Sequence, residues 1–290
     1  MKIKNVTVAG GGTLGSQISW QTAFMGLNVI VYDAFDKGLE ASKLFHKQFA
    51  ELFNSERDVS AEEIERTYSR ISYTTDLAEA IKDADLLSES VPENLDIKKE
   101  FYQKVGQLAP ERTIFTTNTS TMLPSDFAKD TGRPKKFLAL HFANPIWEAN
   151  IGEVMGHSGT SPEIFDQVIK FAEQIGMIPI PIHKEQNGYI INSLLIPWLN
   201  AAGDLLINEV TAYQNIDKTW MISTGMAMGP FGLMDMVGID TLYKGVKHWG
   251  EVLNDPERLK RATYYKKKYI DKGNLGMKTG EGLFYKRCCI

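Results

Sequence analysis

The sequence predicts an α/β fold: an N-terminal, doubly wound, mostly parallel sheet followed by an all-helical C-terminal domain. Three observations carry that prediction. Short β-type runs alternate with amphipathic stretches over the first part of the chain, as when helices cover both faces of a parallel sheet. Beyond about Lys184 the β-type runs vanish. A glycine cluster stands where the first run ends and the first helical stretch begins.

The elements follow in order. Val6-Thr7-Val8-Ala9 reads as the first strand, and Leu14 to Met25 as a helix. Asn28 to Tyr32 is β-rich and stops at Asp33. Later β-type runs are Ile71 to Tyr73, Leu86-Leu87, Thr113 to Thr116, Phe137 to Phe142 and Ile178 to Ile182, with helical patterns between most of them. Asn187 to Val210 is one apolar-periodic stretch without a turn cluster, which predicts a long helix. After it, helical segments are broken by Gly and Pro, most clearly at Met228-Gly-Pro-Phe-Gly. The domain boundary is therefore set near Lys184, giving domains 1–184 and 185–290.

Bulk composition narrows the classes. Of 290 residues, 43% are hydrophobic and 23% charged, as in an ordinary globular protein. A net charge of −4 argues against a nucleic-acid partner, whose binders carry a basic face. No run approaches the roughly 18 apolar residues of a membrane span. The two cysteines, Cys288 and Cys289, are adjacent and suit neither a disulfide framework nor zinc, so no metal is expected. With no secretory segment at Met1 to Gly10, a cytoplasmic protein is expected.

Gly10-Gly11-Gly12-Thr13-Leu14-Gly15 satisfies G-x-G-x-x-G, and its context gives the motif weight. It follows a strand-like run and opens a helix, and the next strand ends on Asp33, the arrangement of a Rossmann-type dinucleotide site. Gly10 allows the tight turn, Gly12 lets the backbone approach a pyrophosphate, and Gly15 lets helix and strand pack closely. Thr13 and Leu14 supply helix N-terminal amides for the phosphates. Asp33 would accept hydrogen bonds from the adenosine ribose and repel a 2′-phosphate, so NAD is favoured over NADP. FAD enzymes share the fingerprint.

His141 ends the run Phe137 to Leu140, and Glu153 lies twelve residues on. A histidine titrates near neutrality and suits proton transfer. A lone histidine at a strand end equally suits a satisfied core residue, and spacing alone does not bring this pair together.

The sequence resembles the 3-hydroxyacyl-CoA dehydrogenase family, 3-hydroxybutyryl-CoA dehydrogenases included, across nearly its full length. The matching residues are Gly10 to Gly15, Glu89-Ser-Val-Pro-Glu93-Asn-Leu-Asp-Ile-Lys98, Asn118-Thr-Ser120 and His141-Phe-Ala-Asn144-Pro145 followed by Glu153. Asn192, Met228-Gly-Pro-Phe and Leu275-Gly-Met-Lys-Thr-Gly-Glu-Gly complete the set. The resemblance implies NAD-dependent oxidation of the 3-hydroxyl of a short-chain 3-hydroxyacyl-CoA, with His141 and Glu153 handling the proton. It implies that Ser120 and Asn192 hydrogen-bond the substrate oxygens and that Asn144 helps hold the site. It also implies that Glu93 and Lys98 lie beside the nicotinamide ribose, that Asn118 contributes to the cofactor site, and that the protein is a homodimer.

Two departures bear on the substrate. Ile146-Trp147-Glu148-Ala149-Asn150-Ile151-Gly152 replaces an apolar, proline-containing stretch ending in Met-Lys, so that the acyl pocket is expected to be smaller, more polar or shaped by Trp147. Ser193 stands where the family usually has Arg. A free 3-hydroxy acid of gulonate or carnitine type is the alternative substrate. Lys37, Lys43 and Lys47 are the candidates for CoA phosphates.

Overall fold

The computed structural model describes residues 3–283, so Cys288 and Cys289 lie outside the described residues. The chain forms two compact units, 1–190 and 191–290.

The first unit holds an eight-stranded sheet in the order β3-β2-β1-β4-β5-β6-β7-β8. Its strands are β1 (Asn5–Ala9), β2 (Asn28–Tyr32), β3 (Ile71–Thr74), β4 (Leu86–Glu89), β5 (Ile114–Thr117), β6 (Phe137–Phe142), β7 (Ile151–Met155) and β8 (Ile178–Ile182). β1 to β6 are mutually parallel, β7 runs antiparallel to β6, and β8 is parallel to β7. Strand order reverses between β1 and β4, which opens a crevice at their carboxyl ends. The helices are α1 (Thr13–Phe24), α2 (Asp36–Glu56), α3 (Ala61–Tyr68), α4 (Leu77–Ile81), α5 (Leu95–Leu108) and α6 (Pro162–Gln174).

β7 is the element that the sequence did not announce. Gly152 and Glu153 interrupt its apolar pattern, and the strand owes its place to pairing on both sides: Leu140 faces Val154 on one edge and Ile151 faces Ile178 on the other. Both β6 and β7 are covered on their two faces. Leu138, Leu140 and Val154 enter the main core with Trp20, Phe53 and Phe171, whereas Ala139 and Met155 pack with Tyr189 on the opposite face. That second face also carries His141 and Glu153, because side chains alternate along a strand.

α5 starts where Asn94 accepts hydrogen bonds from the amides of Asp96 (3.0 Å) and Ile97 (3.1 Å), an N-cap that fixes Lys98 one turn in. His46, on α2, is fully buried and hydrogen-bonds Ser19 Oγ (2.9 Å) and Tyr73 Oη (2.6 Å). Burial pushes it down to about 4, so it packs as a neutral imidazole.

The second unit is helical: α7 (Ile191–Ile207), α8 (Tyr213–Thr224), α9 (Pro230–Val237), α10 (Ile239–Val252) and α11 (Pro256–Lys268). The long helix starts later than the periodicity suggested, at Ile191, since the left-handed backbone of Gly188 and Tyr189 (φ +79° and +54°) precedes it. The Met228-Gly-Pro-Phe break has a structural reason. Pro230 opens α9, and the buried Asp217 carboxylate accepts the amides of Phe231 (2.8 Å) and Gly232 (2.9 Å). Phe231, Met234, Leu199, Ile239 and Tyr265 form the core of this unit.

Candidate active site

The β6–β7 register sets His141 directly opposite Glu153. Twelve residues of separation thus become a cross-strand pair, with the connection 143–150 returning the chain. His141 Nδ1 lies 2.9 Å from Glu153 Oε2. A carboxylate only accepts, so Nδ1 carries the proton and Nε2 is left as an acceptor. Ser120 Oγ donates to that Nε2 at 3.2 Å. Glu153 Oε1 is held separately by the amide of Ile190 (2.8 Å), and the Tyr189 ring stacks on the imidazole with centroids 4.5 Å apart. His141 is 6% exposed and Glu153 1%, so the pair is almost wholly out of solvent.

Ser120 belongs to a turn gripped by one carboxylate. Glu93 Oε1 accepts from the amides of Ser120 and Thr121 (both 3.1 Å), from Thr121 Oγ1 (2.8 Å) and from Thr119 Oγ1. Its other oxygen lies 3.2 Å from Lys98 Nζ. Burial works to raise the Glu93 carboxyl, but Lys98 and the hydroxyls of Thr119 and Thr121 outweigh it and hold the group below the usual range. Lys98 is not a surface charge. It is 1% exposed and donates at 2.6 Å to the fully buried Glu89, which also accepts from Val91 N, Thr117 Oγ1 and Tyr102 Oη. Four donors around Glu89 satisfy a charge that would otherwise be costly to bury.

The glycine loop opens onto the same cleft. A hollow of about 240 Å³ is lined by Gly12, Thr13, Leu14, Gly15, Glu93, Lys98, Asn118 and Ser120 among others. A side chain at Gly15 would overlap the Gly10 carbonyl, and one at Gly10 the carbonyl of Ser90, so both must lack Cβ for the turn to close. At Gly12 the Cβ position meets nothing within 4 Å, which leaves open space where the backbone can be approached. The first-turn amides of α1 have no acceptor within the helix and face an incoming anion. Asp33, at the end of β2, is oriented by the amides of Gly11 (2.8 Å to Oδ2) and Phe35 (3.0 Å to Oδ1) and keeps lone pairs for sugar hydroxyls. These residues fit NAD. Asn118 Oδ1 accepts the amide of Phe142 at 3.0 Å, tying the end of β5 to the strand that carries His141.

Other expected residues stand elsewhere. Asn144 Oδ1 accepts from Gln17 Nε2 (2.7 Å) on α1, and Gln17 Oε1 accepts the Ile146 amide (3.1 Å). Asn144 thus fastens the connection before β7 to the first helix. Asn192 stands in the first turn of α7, in the second unit. Trp147 corrects an expectation: rather than shaping a pocket, it packs edge-on against Phe49 and Phe53 in the main core, with centroids 4.8 and 5.3 Å away. The indole is the largest apolar group of its segment, and the α2 core is where its area leaves water. Sequence reasoning passed over Glu89, Gln17 and Tyr189. Glu89 lay inside a quoted motif, but nothing in its spacing from Thr117 or Lys98 revealed that one carboxylate would collect both.

Comparison with known proteins decides the family. The 3-hydroxyacyl-CoA dehydrogenase NAD binding domain matches residues 5–186, and the C-terminal domain of the same family matches residues 188–286. The chain belongs to the 3-hydroxyacyl-CoA dehydrogenase family. It is an NAD-dependent oxidoreductase of the hydroxyacyl-CoA dehydrogenase type. The human mitochondrial hydroxyacyl-coenzyme A dehydrogenase is 35% identical, over 98% of this chain and 91% of that protein. A probable 3-hydroxybutyryl-CoA dehydrogenase of Bacillus subtilis is 31% identical, over 98% of each. Among solved structures, a diketoreductase described for dual catalysis of dicarbonyl compounds superposes with a TM-score of 0.92 at 48% identity, covering 99% of both chains. The (S)-3-hydroxybutyryl-CoA dehydrogenase of Ralstonia eutropha superposes at 0.86 with 26% identity, covering 98% of this chain and 99% of that one.

One expectation is overturned here. The human, rat, pig and mouse relatives are mitochondrial enzymes, which contradicts a cytoplasmic assignment. A low cysteine count fits any reducing compartment, so that feature did not discriminate. Among the described residues no helix is long and apolar enough to cross a membrane, and no cluster of three or more His, Cys, Asp or Glu could hold a metal ion.

Proposed function

We propose that the protein oxidises, reversibly, the 3-hydroxyl of a short-chain 3-hydroxyacyl-CoA to the 3-oxoacyl-CoA. The supporting observation is the chain Ser120–His141–Glu153 reaching the cleft that the glycine loop lines. His141 Nε2 is an acceptor because Nδ1 holds its proton against Glu153. As the substrate O–H bond breaks, its proton forms the N–H bond at Nε2, and Glu153 stabilises the imidazolium. Bound NAD would supply the acceptor for the hydride that leaves the same carbon with its electron pair. Ser120 donates to or accepts from the reacting oxygen, and Asn192 is the second hydrogen-bonding group that the family resemblance supplies. Glu93, Lys98 and Asn118 shape the nicotinamide end of the cleft, and Asp33 the adenosine end.

A second reading, an uncoupled 3-hydroxy or dicarbonyl compound, is favoured by two observations. One is the 48% identity to the diketoreductase. The other is the helical excursion 36–70, where the family resemblance puts the CoA nucleotide: it carries six Lys and Arg against eight Asp and Glu, and Lys43 is paired with Glu40. A polyanionic nucleotide gains little from such a surface. Rates with 3-hydroxybutyryl-CoA and with free 3-hydroxy acids and diketones, measured side by side with NAD(H), separate the readings. In either, His141→Ala should lower turnover by about 10²–10⁴-fold while NAD affinity holds. Turnover near the unmodified rate would remove His141 from the mechanism. We infer further that the protein is a homodimer.

A further inference from the structure

We propose that Tyr189 is a positioning residue for the reaction: its ring holds the His141 imidazole in plane and stabilises the protonated form that arises when the substrate proton arrives. The inference rests on the reading of His141 as the proton acceptor.

The geometry is specific. The two rings are stacked, 21° from parallel with centroids 4.5 Å apart, and Tyr189 is fully buried. Its backbone sits at φ +54°, which a bulky L-residue adopts only where its surroundings impose it. Those surroundings are visible on both sides. Asn187 Nδ2 donates to the Thr121 carbonyl (2.8 Å), and the Ile190 amide donates to Glu153 Oε1 (2.8 Å). The strained turn is thus tied to the Ser120 segment at one end and to the partner of His141 at the other.

Chemistry gives the stacked ring a task. Hydrogen bonds to Glu153 and Ser120 fix the two imidazole nitrogens but leave the ring free to rock about the line between them. A flat aromatic face removes that freedom. An aromatic face also attracts a cation lying over it. The charged group facing His141 is the Glu153 carboxylate on β7, and the carboxylates that act on the stacked Tyr189 are Glu93, Glu153, Glu89 and Glu185, with Lys98 offsetting Glu89 and Glu93. Burial and these carboxylates push the Tyr189 phenol far up, so the ring stays neutral and presents an undiminished face throughout the working pH range.

The test reads the imidazole directly. Protein carrying ¹³C-labelled histidine is titrated by NMR with NAD bound, and the His141 signal is assigned by its loss in His141→Gln. Tyr189→Leu should lower the His141 midpoint by about half a unit to one unit, whereas Tyr189→Phe keeps it. The acidic limb of kcat/KM for oxidation should move by the same amount in the same direction, with kcat down about tenfold in the Leu variant and restored in the Phe variant. An unchanged or raised midpoint in Tyr189→Leu overturns the proposal. So does a Phe variant that behaves like Leu, because the hydroxyl and not the face would then matter. Should Tyr189→Leu fail to fold, Tyr189→Met offers similar bulk without the aromatic face and is read in the same way. His141→Ala measured in parallel separates the two failures: an active Ala variant sinks the proton-acceptor reading, and an inactive one with an unmoved Leu midpoint sinks only the role of Tyr189.

Discussion

Ser120 illustrates how much a single carboxylate can organise. Four hydrogen bonds from residues 119–121 converge on Glu93 Oε1, so the hydroxyl that meets His141 is aimed by a residue that does not touch it. Removing Glu93 should therefore act through Ser120. In Glu93→Ala, kcat is expected to fall about 10–100-fold with KM for NAD rising as well, since misplacing a reacting group by an ångström costs rate on that order. A double-mutant cycle with Ser120→Ala checks the route: the two losses should be non-additive by about 1 kcal/mol or more. Additive losses would mean that Glu93 serves only the cofactor. The family resemblance placed Glu93 and Lys98 beside the nicotinamide ribose without showing what else they touch. Only in the fold does Lys98 reach the buried Glu89, because those two residues meet across the α5–β4 contact rather than along the chain.

The glycine loop is the element most legible in the sequence, because its demands are local. A turn that brings Gly15 against the Gly10 carbonyl admits no side chain, whatever the rest of the protein does. Gly12 differs, and the two positions should respond differently to the same substitution. Gly15→Ala is expected to lower the thermal stability of the ligand-free protein, since backbone must shift to admit the methyl group. Gly12→Ala should leave that stability nearly unchanged, because its methyl enters open space, yet weaken NAD binding tenfold or more where the pyrophosphate must approach. Calorimetry of both variants with and without NAD distinguishes them, and a Gly12→Ala protein that binds NAD normally would contradict the assignment of that space. β7 shows the opposite case. Its pattern is broken by Gly152 and Glu153, its strand character is conferred by neighbours on both edges, and it brings the carboxylate to the histidine.

At the scale of the whole molecule, the second unit leaves large apolar side chains in water. Leu194 is 70% exposed, Ile222 73% and Val210 64%. Exposed apolar surface of this kind often marks an interface, which supports the inferred homodimer. Sedimentation equilibrium at micromolar concentration should give twice the 32.6 kDa chain mass, and Ile222→Asp combined with Leu194→Asp should shift the protein toward monomer. A monomer for the unmodified protein at those concentrations would refute that reading. Substrate choice also belongs to this scale, since the acidic excursion 36–70 is a summed property of many side chains rather than of any one.

The sequence by itself determined what depends on neighbours in the chain: the alternation of strand and helix, the glycine turn with Asp33 after the next strand, and the break at Pro230. Each follows from backbone sterics or periodicity over a few residues, and such signals survive without the fold. Tertiary structure alone decided what depends on distance in space. It set Glu153 across from His141, drew the buried Glu89 and Lys98 together with the exposed Glu93 into one network, stacked Tyr189 on the imidazole and turned Trp147 into the core. Register between strands and the packing of buried rings are fixed by the sum of many distant contacts, and no short stretch of residues encodes them.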